Sequence, residues 1–231
     1  MRSFVRNLAA TVAVLLPAVI QAQEGHRMEI ALERSEEAGG WKEVDPGLVF
    51  DQNDRIRFRF RANFGGYLYV LNLGTSGRYS LLFPGEETGR RNRIEAGAEY
   101  VIPATQGWFR ITGPAGHEIV YWLVSPVELG AEYSAVQSGP APPRSTKPGR
   151  EPEDLKPRCD DTIFRARGEC VDASAGPKKI TPRETLPGLL ADVPENATGT
   201  LFFIRERDRS VVSSPEPLTS PVVYEFRIAH N

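Results

Sequence analysis

Few side chains in this sequence have the type and spacing to do chemistry. Nucleophilic catalysis needs a hydroxyl or thiol beside a base that an acid orients. Gly74-Thr75-Ser76-Gly77 is one residue short of a Gly-x-Ser-x-Gly elbow, and it lies between two β-rich runs, where a hairpin turn is expected. Of the three histidines, His26 follows the N-terminal leader, His117 begins a strand after Gly116, and His230 is next to last. Nothing in their spacing selects one as a base. The paired acids Glu36-Glu37, Glu86-Glu87 and Asp160-Asp161 lack the ligand spacing of a calcium loop and read as solvated surface. There is no glycine-rich phosphate loop before a helix and no zinc-type His/Glu pair, so no metal or cofactor is expected. A site assembled from separate loops, such as Glu86, Glu87 and His117, would make the chain a hydrolase, and chain order does not exclude it.

The constellation with most physical content is a ladder of arginines. Arg55, Arg57, Arg59 and Arg61 alternate with Ile56, Phe58, Phe60 and Ala62. On a strand the four guanidiniums share one face about 7 Å apart and repel one another unless countered. One reading is an anion-binding face for a phosphorylated glycan, lipid head groups or an acidic partner protein. The favoured reading is cross-strand pairing with acids, which Glu29 and Glu33 on a first strand and Glu225 on the last could supply. Among the aromatics, Tyr67, Tyr69, Phe83, Tyr121 and Trp122 sit on apolar strands where core packing is the default. Trp108 follows Gln106-Gly107 at a strand start, where side chains often reach solvent, so it joins the four arginines as a candidate binding residue.

These residues need strands to position them. Arg55 to Ala62 has the period of a half-buried strand, Tyr67 to Leu73 is apolar on nearly both faces, and Arg78 to Phe83 is a third run stopped by Pro84. The turns Asn63-Phe64-Gly65-Gly66 and Gly74-Thr75-Ser76-Gly77 join them, which predicts an antiparallel meander. Arg27 to Glu33, Trp41 to Val44, Val49-Phe50, Tyr100 to Ile102, Trp108 to Thr112 and His117 to Val124 are further strands, with a turn at Asp45-Pro46-Gly47 and a charged loop from Gly85 to Arg93. Thr200 to Arg205 and Val222 to Ala229 follow near the end. Two strands cannot bury their own faces, so they are expected to join the sheets of the first block. The fold class is all-β: an immunoglobulin-like antiparallel β-sandwich with a long Pro-rich, disulfide-containing insertion before the last strands.

Composition bounds the rest. The chain has 231 residues, a formal net charge of −2 and 19 prolines, so bulk attraction to nucleic acid is not indicated and any anion binding must be local. Residues 1–22 read as a secretory signal peptide, with Arg2 and Arg6, an apolar run from Leu8 to Leu16 and a small-residue end at Ile20-Gln21-Ala22. That run is short of the roughly 20 residues of a spanning helix, and no later stretch reaches that length. The expected location is therefore the periplasm or outside the cell. Cys159 and Cys170, the two cysteines, suit such a compartment as a disulfide contributing about 3 kcal/mol in the entropic account. Residues 23–136 are expected to form the sandwich and 137–199 a Pro-rich flexible segment holding the Cys159–Cys170 loop. A short helix is expected in that segment from Thr181-Pro182-Arg183-Glu184, with residues 200–231 completing the sandwich.

Several short motifs follow one another along the chain: Asp45-Pro46 with Phe50, Asp54-Arg55-Ile56-Arg57, Gly66-Tyr67-Leu68-Tyr69-Val70, Ser76-Gly77 and Leu82-Phe83-Pro84. Asn92, Ala96-Gly97, Ile102-Pro103 and Gly116 with Glu118 come next. In this order the motifs resemble the bacterial domain of unknown function 4384 family. Coverage is about residues 40 to 126, with Asn53-Asp54 where the family usually has Gly-Asp. The resemblance implies an all-β module on exported proteins or beside signalling and caspase-like domains, and it carries no catalytic residues. The reading is an exported, non-enzymatic module whose partner is an envelope protein or an anionic glycan or lipid. A hydrolase and a purely structural subunit of a larger exported complex are the alternatives.

Overall fold

The computed structural model describes residues 25–85, 91–104, 106–129, 139–140, 156–159, 168–180, 190 and 201–231. The leader at 1–22, Glu86-Glu87, Asp160-Asp161 and the helix expected from Thr181 lie outside them. The strands are β1 (Arg27–Ser35), β2 (Trp41–Val44), β3 (Val49–Phe50), β4 (Arg55–Ala62), β5 (Gly66–Leu73), β6 (Arg78–Phe83), β7 (Arg93–Ile94) and β8 (Glu99–Ile102). They continue as β9 (Phe109–Arg110), β10 (Gly116–Ser125), β11 (Gly139–Pro140), β12 (Gly176–Lys178), β13 (Phe202–Glu206), β14 (Arg209–Ser213) and β15 (Val222–His230). The chain is the expected all-β, immunoglobulin-like sandwich. One sheet runs β13-β14-β1-β4-β8, with β2 on β1 and β9 on β4. The other runs β11-β6-β5-β10-β15-β12, with β3 on β15 and β7 on β5. All pairings are antiparallel except β3 with β15.

The predicted meander is corrected on one point. β5 and β6 form a hairpin, closed by the Gly77 N–H on the Gly74 carbonyl, with Gly77 at φ +78° where a side chain is strained. β4, however, pairs with β1, β8 and β9 and not with β5, so Asn63–Gly65 carries the chain from one sheet to the other. The physical reason is the pattern of apolar residues. β4 has one apolar face and suits a sheet open to water on one side. β5 is apolar on both and must be covered twice. β14, unrecognised as a strand in the sequence, fills the gap between β13 and β1.

The main core lies between the sheets. Ile56, Phe58 and Phe60 of β4 are fully buried against Val120, Trp122 and Phe226 of the facing sheet. Trp122 is the hub: Phe58 meets it edge-on with centroids 5.4 Å apart, Phe60 stacks at 5.5 Å and Tyr224 at 6.2 Å. A second cluster covers the outside of the β5–β10–β15 sheet. Tyr69, Leu71, Tyr121, Leu123 and Val223 are buried there with Ile180 and Leu190. Within the 137–199 segment, Ile180 and Leu190 supply part of this cover, and Val171 and Asp172 are buried too. The segment is anchored by the Cys159–Cys170 disulfide and by backbone bonds from Val49 N–H to the Cys170 carbonyl and from Asp172 N–H to the Gly47 carbonyl. A Cβ on Gly47 would stand 2.9 Å from the Asp172 carbonyl oxygen, so only glycine allows this approach.

Phe58→Ala removes a ring that touches Trp122, Phe226 and Phe109. It is expected to lower unfolding stability by about 3–5 kcal/mol, read from the urea midpoint with the slope unchanged.

Candidate functional site

Two groupings of reactive or charged side chains are built by the fold. The first forms around His117 at the start of β10. Ser174 Oγ lies 3.0 Å from His117 Nε2 and Asp172 Oδ2 lies 3.4 Å from the same nitrogen. In a serine relay the acid and the hydroxyl sit on opposite ring nitrogens, so the acid can orient the base for the nucleophile. Here both meet one nitrogen. Asp172 also accepts the Arg158 N–H at 2.8 Å and the Ser174 N–H at 2.7 Å, while its carbonyl accepts the Ala175 N–H that closes the Asp172–Ala175 turn. The grouping is thus a tie between β10 and the covering segment. Burial raises the Asp172 carboxyl, but the Ser174 and Arg158 hydrogen bonds and the His117 charge outweigh it and hold the pKa below the ordinary 3.8.

Glu86 and Glu87, expected to join His117 in a hydrolytic site, lie outside the described residues. His230 is wholly buried at the end of β15, with Nε2 3.6 Å from Glu118 Oε1. Glu118 accepts from Asn72 Nδ2 at 2.9 Å and tethers the β5–β6 turn to β10. His26 stacks on Phe64 at 3.8 Å, and its Nδ1 accepts the Leu218 N–H at 3.0 Å. That bond requires the ring to be neutral at Nδ1, and burial lowers its pKa from 6.5.

The second grouping is the outer face of the β1–β4 sheet, where the arginine ladder lies. Antiparallel register sets Glu33 opposite Arg57 and Glu29 opposite Arg61. Glu33, 3% exposed, takes Arg57 Nε at 2.6 Å and Arg59 at 3.3 Å, and Arg59 also reaches Glu99 of β8 at 2.7 Å. Arg57 stacks over Trp41 at 4.3 Å. Further along, Arg209 grips Glu43 with two bonds and Arg27 meets Glu206. Asp45, held in the turn by the Gly47 N–H, pairs with Arg205 of β13.

The pairing foreseen for Glu33 is therefore present. Glu225 lies instead on the opposite sheet, where it pairs with Arg227. Arg55 and Arg61 are exposed, and among the described residues no acid reaches either. Arg55 stands over the Trp108 ring at 4.8 Å, with Arg110 of β9 directly opposite it and 5.9 Å from the same ring. Sequence reading found Trp108 and the ladder but missed Arg110. Its signal was there, since Arg110 follows Trp108 at the same-face spacing of two. Asp172 and Ser174 had no such signal.

With this geometry in hand, known families can be compared. The family model for a domain of unknown function (DUF4384) matches residues 49–128. Over those residues the chain resembles that family, as its motifs led one to expect. No curated protein and no solved structure matches the chain. The DUF4384 stretch contains β3 to β10, hence the whole arginine ladder, Trp108 and Arg110. Glu33, the acid that neutralises the middle of the ladder, comes from β1 outside it.

Arg57→Ser with Arg59→Ser leaves the Glu33 carboxylate without a cation. The loss expected is about 2–3 kcal/mol, below that of a fully buried pair because both guanidiniums keep water contact; chemical denaturation reads it. Three pKa shifts set an acid profile: those of His26, Asp172 and Glu43, whose hydrogen bonds from Arg209 hold it below the ordinary 4.5. His26 resists protonation in the fold, so its stabilisation is complete above 6.5 and falls as pH drops from there to its lower folded value. Asp172 contributes fully above 3.8 and loses its contribution as pH falls through its depressed folded value. Urea midpoints across pH are expected to show both steps, with His26→Asn removing the first and Asp172→Asn reducing the second, to which Glu43 also contributes.

Proposed function

We propose that the chain is an exported, non-enzymatic β-sandwich module that binds an anionic component of the cell envelope. The observation that carries this reading is that Arg55, Arg61 and Arg110 are exposed on one sheet face and no described acid neutralises them. Export rests on the charged and apolar pattern of residues 1–22 and on a disulfide that persists in oxidising compartments. A binding rather than catalytic role is supported by the use to which His117, Asp172 and Ser174 are put. They fasten the covering segment, and Asp172 and Ser174 both meet the ring at Nε2.

An arginine-mediated contact with an anionic surface weakens with salt, because exposed charges are screened over about 10 Å at 0.1 M. The purified chain is expected to sediment with isolated envelope fractions at low ionic strength and to be released by salt. The triple variant Arg55→Ser, Arg61→Ser, Arg110→Ser should stay in the supernatant, while its thermal unfolding matches the parent. Sedimentation that is equal in the variant, or indifferent to salt, refutes the proposal.

A further inference from the structure

Arg55 and Arg110 face each other directly across β4 and β9. Like charges so placed repel and cost stability unless something counters them. The described glutamates of this face are engaged elsewhere: Glu33 with Arg57 and Arg59, Glu99 with Arg59, Glu43 with Arg209 and Glu206 with Arg27. Glu29 is shared by Arg27 and Arg209. The acids just before Arg55 are occupied too. Asp54 accepts the Asp51 N–H at 3.0 Å and faces Arg34, and Asp51 accepts from the Asn231 side chain at 3.3 Å. Among the described residues, the two guanidiniums are left with the Trp108 ring as their neighbour.

We infer that Arg55, Arg110 and Trp108 form a binding site for a phosphate monoester carried on a sugar. This rests on the anion-binding reading above and names its ligand class. A carboxylate has two oxygens and satisfies one guanidinium fork. A phosphate monoester presents three oxygens and a charge of about −1.5 to −2, which matches two guanidiniums from strand positions directly opposite each other, both near one ring. The part of the indole that Arg55 and Arg110 leave exposed supplies an apolar surface for the C–H face of the sugar that bears the phosphate. An anionic bilayer fits less well. Its plane of charge would also press on Glu29, Glu43, Glu99 and Glu206, which share this face.

The test is a titration of the full chain, followed by tryptophan fluorescence and calorimetry, with glucose 1-phosphate, inorganic phosphate, glucose and phosphatidate-containing vesicles. Glucose 1-phosphate is expected to saturate with a dissociation constant of about 1 mM or below, more tightly than inorganic phosphate, and glucose is expected not to bind. Arg55→Ser and Arg110→Ser should each weaken it about tenfold, the loss of one charge-assisted fork, with unfolding temperature unchanged. Arg55→Lys keeps the charge but loses the fork, and should also bind more weakly.

The inference is overturned by failure to saturate at about 10 mM, by equal binding of glucose, or by arginine variants that bind like the parent. Vesicle binding without sugar-phosphate binding overturns it in favour of a lipid head group. If sugar phosphate does not bind but envelope sedimentation still depends on Arg55 and Arg110, the ligand class is wrong and the anion-binding reading stands. If both fail, that reading falls with it.

Discussion

The structure depends on the burial of one sheet on both sides. β5 and β10 carry apolar side chains at nearly every position, so water must be kept from both of their faces. The inner face is met by β1 and β4 across the sandwich. The outer face needs a second layer, and the chain supplies it from far along its length through Ile180 and Leu190. The disulfide, the Gly47 approach and the His117 tie hold that layer in place. Much of the polar chemistry of the molecule is thus committed to fastening a cover over Tyr69, Tyr121 and Leu123.

The other sheet obeys the opposite rule. One face is apolar, and its outer face is a lattice of arginine and glutamate from different strands. Most of these pairs are partly solvated and individually contribute little. Glu33 is different, since its near-complete burial leaves its two arginines as the partners that offset the cost of taking it out of water. Neutralisation is uneven along the ladder. Its middle is paired, while Arg55 meets another arginine and an indole. The face is balanced through its middle and unbalanced at both ends of β4, where Arg55 and Arg61 meet no described acid, and this is what motivates the proposed anion-binding role.

The relation to the DUF4384 family sharpens this division. The matched residues 49–128 contribute central strands to both sheets, but β1, β14 and β15 come from outside them. Those outer strands provide the acid for the ladder and the partner for β10. The unneutralised arginines and Trp108 lie wholly within the matched stretch.

Much of this was legible in the sequence because strand side chains alternate with period two. Alternation in 55–62 by itself placed Phe58 and Phe60 inside and the arginines outside, and it marked Glu33 as a partner on the first strand. The apolar runs at 67–73 and 117–124 announced a sheet covered twice, though not by what. Only tertiary structure decided that β4 and β5 part company at Asn63–Gly65, because a turn looks the same whether it closes a hairpin or crosses a sandwich. Only it brought Asp172 and Ser174 to His117, set Arg110 against Arg55, and placed Glu225 on the sheet opposite the ladder. Periodicity tells each residue which way to face, but which strand lies beside it is settled by covering every apolar surface at once, and that is a property of the whole chain.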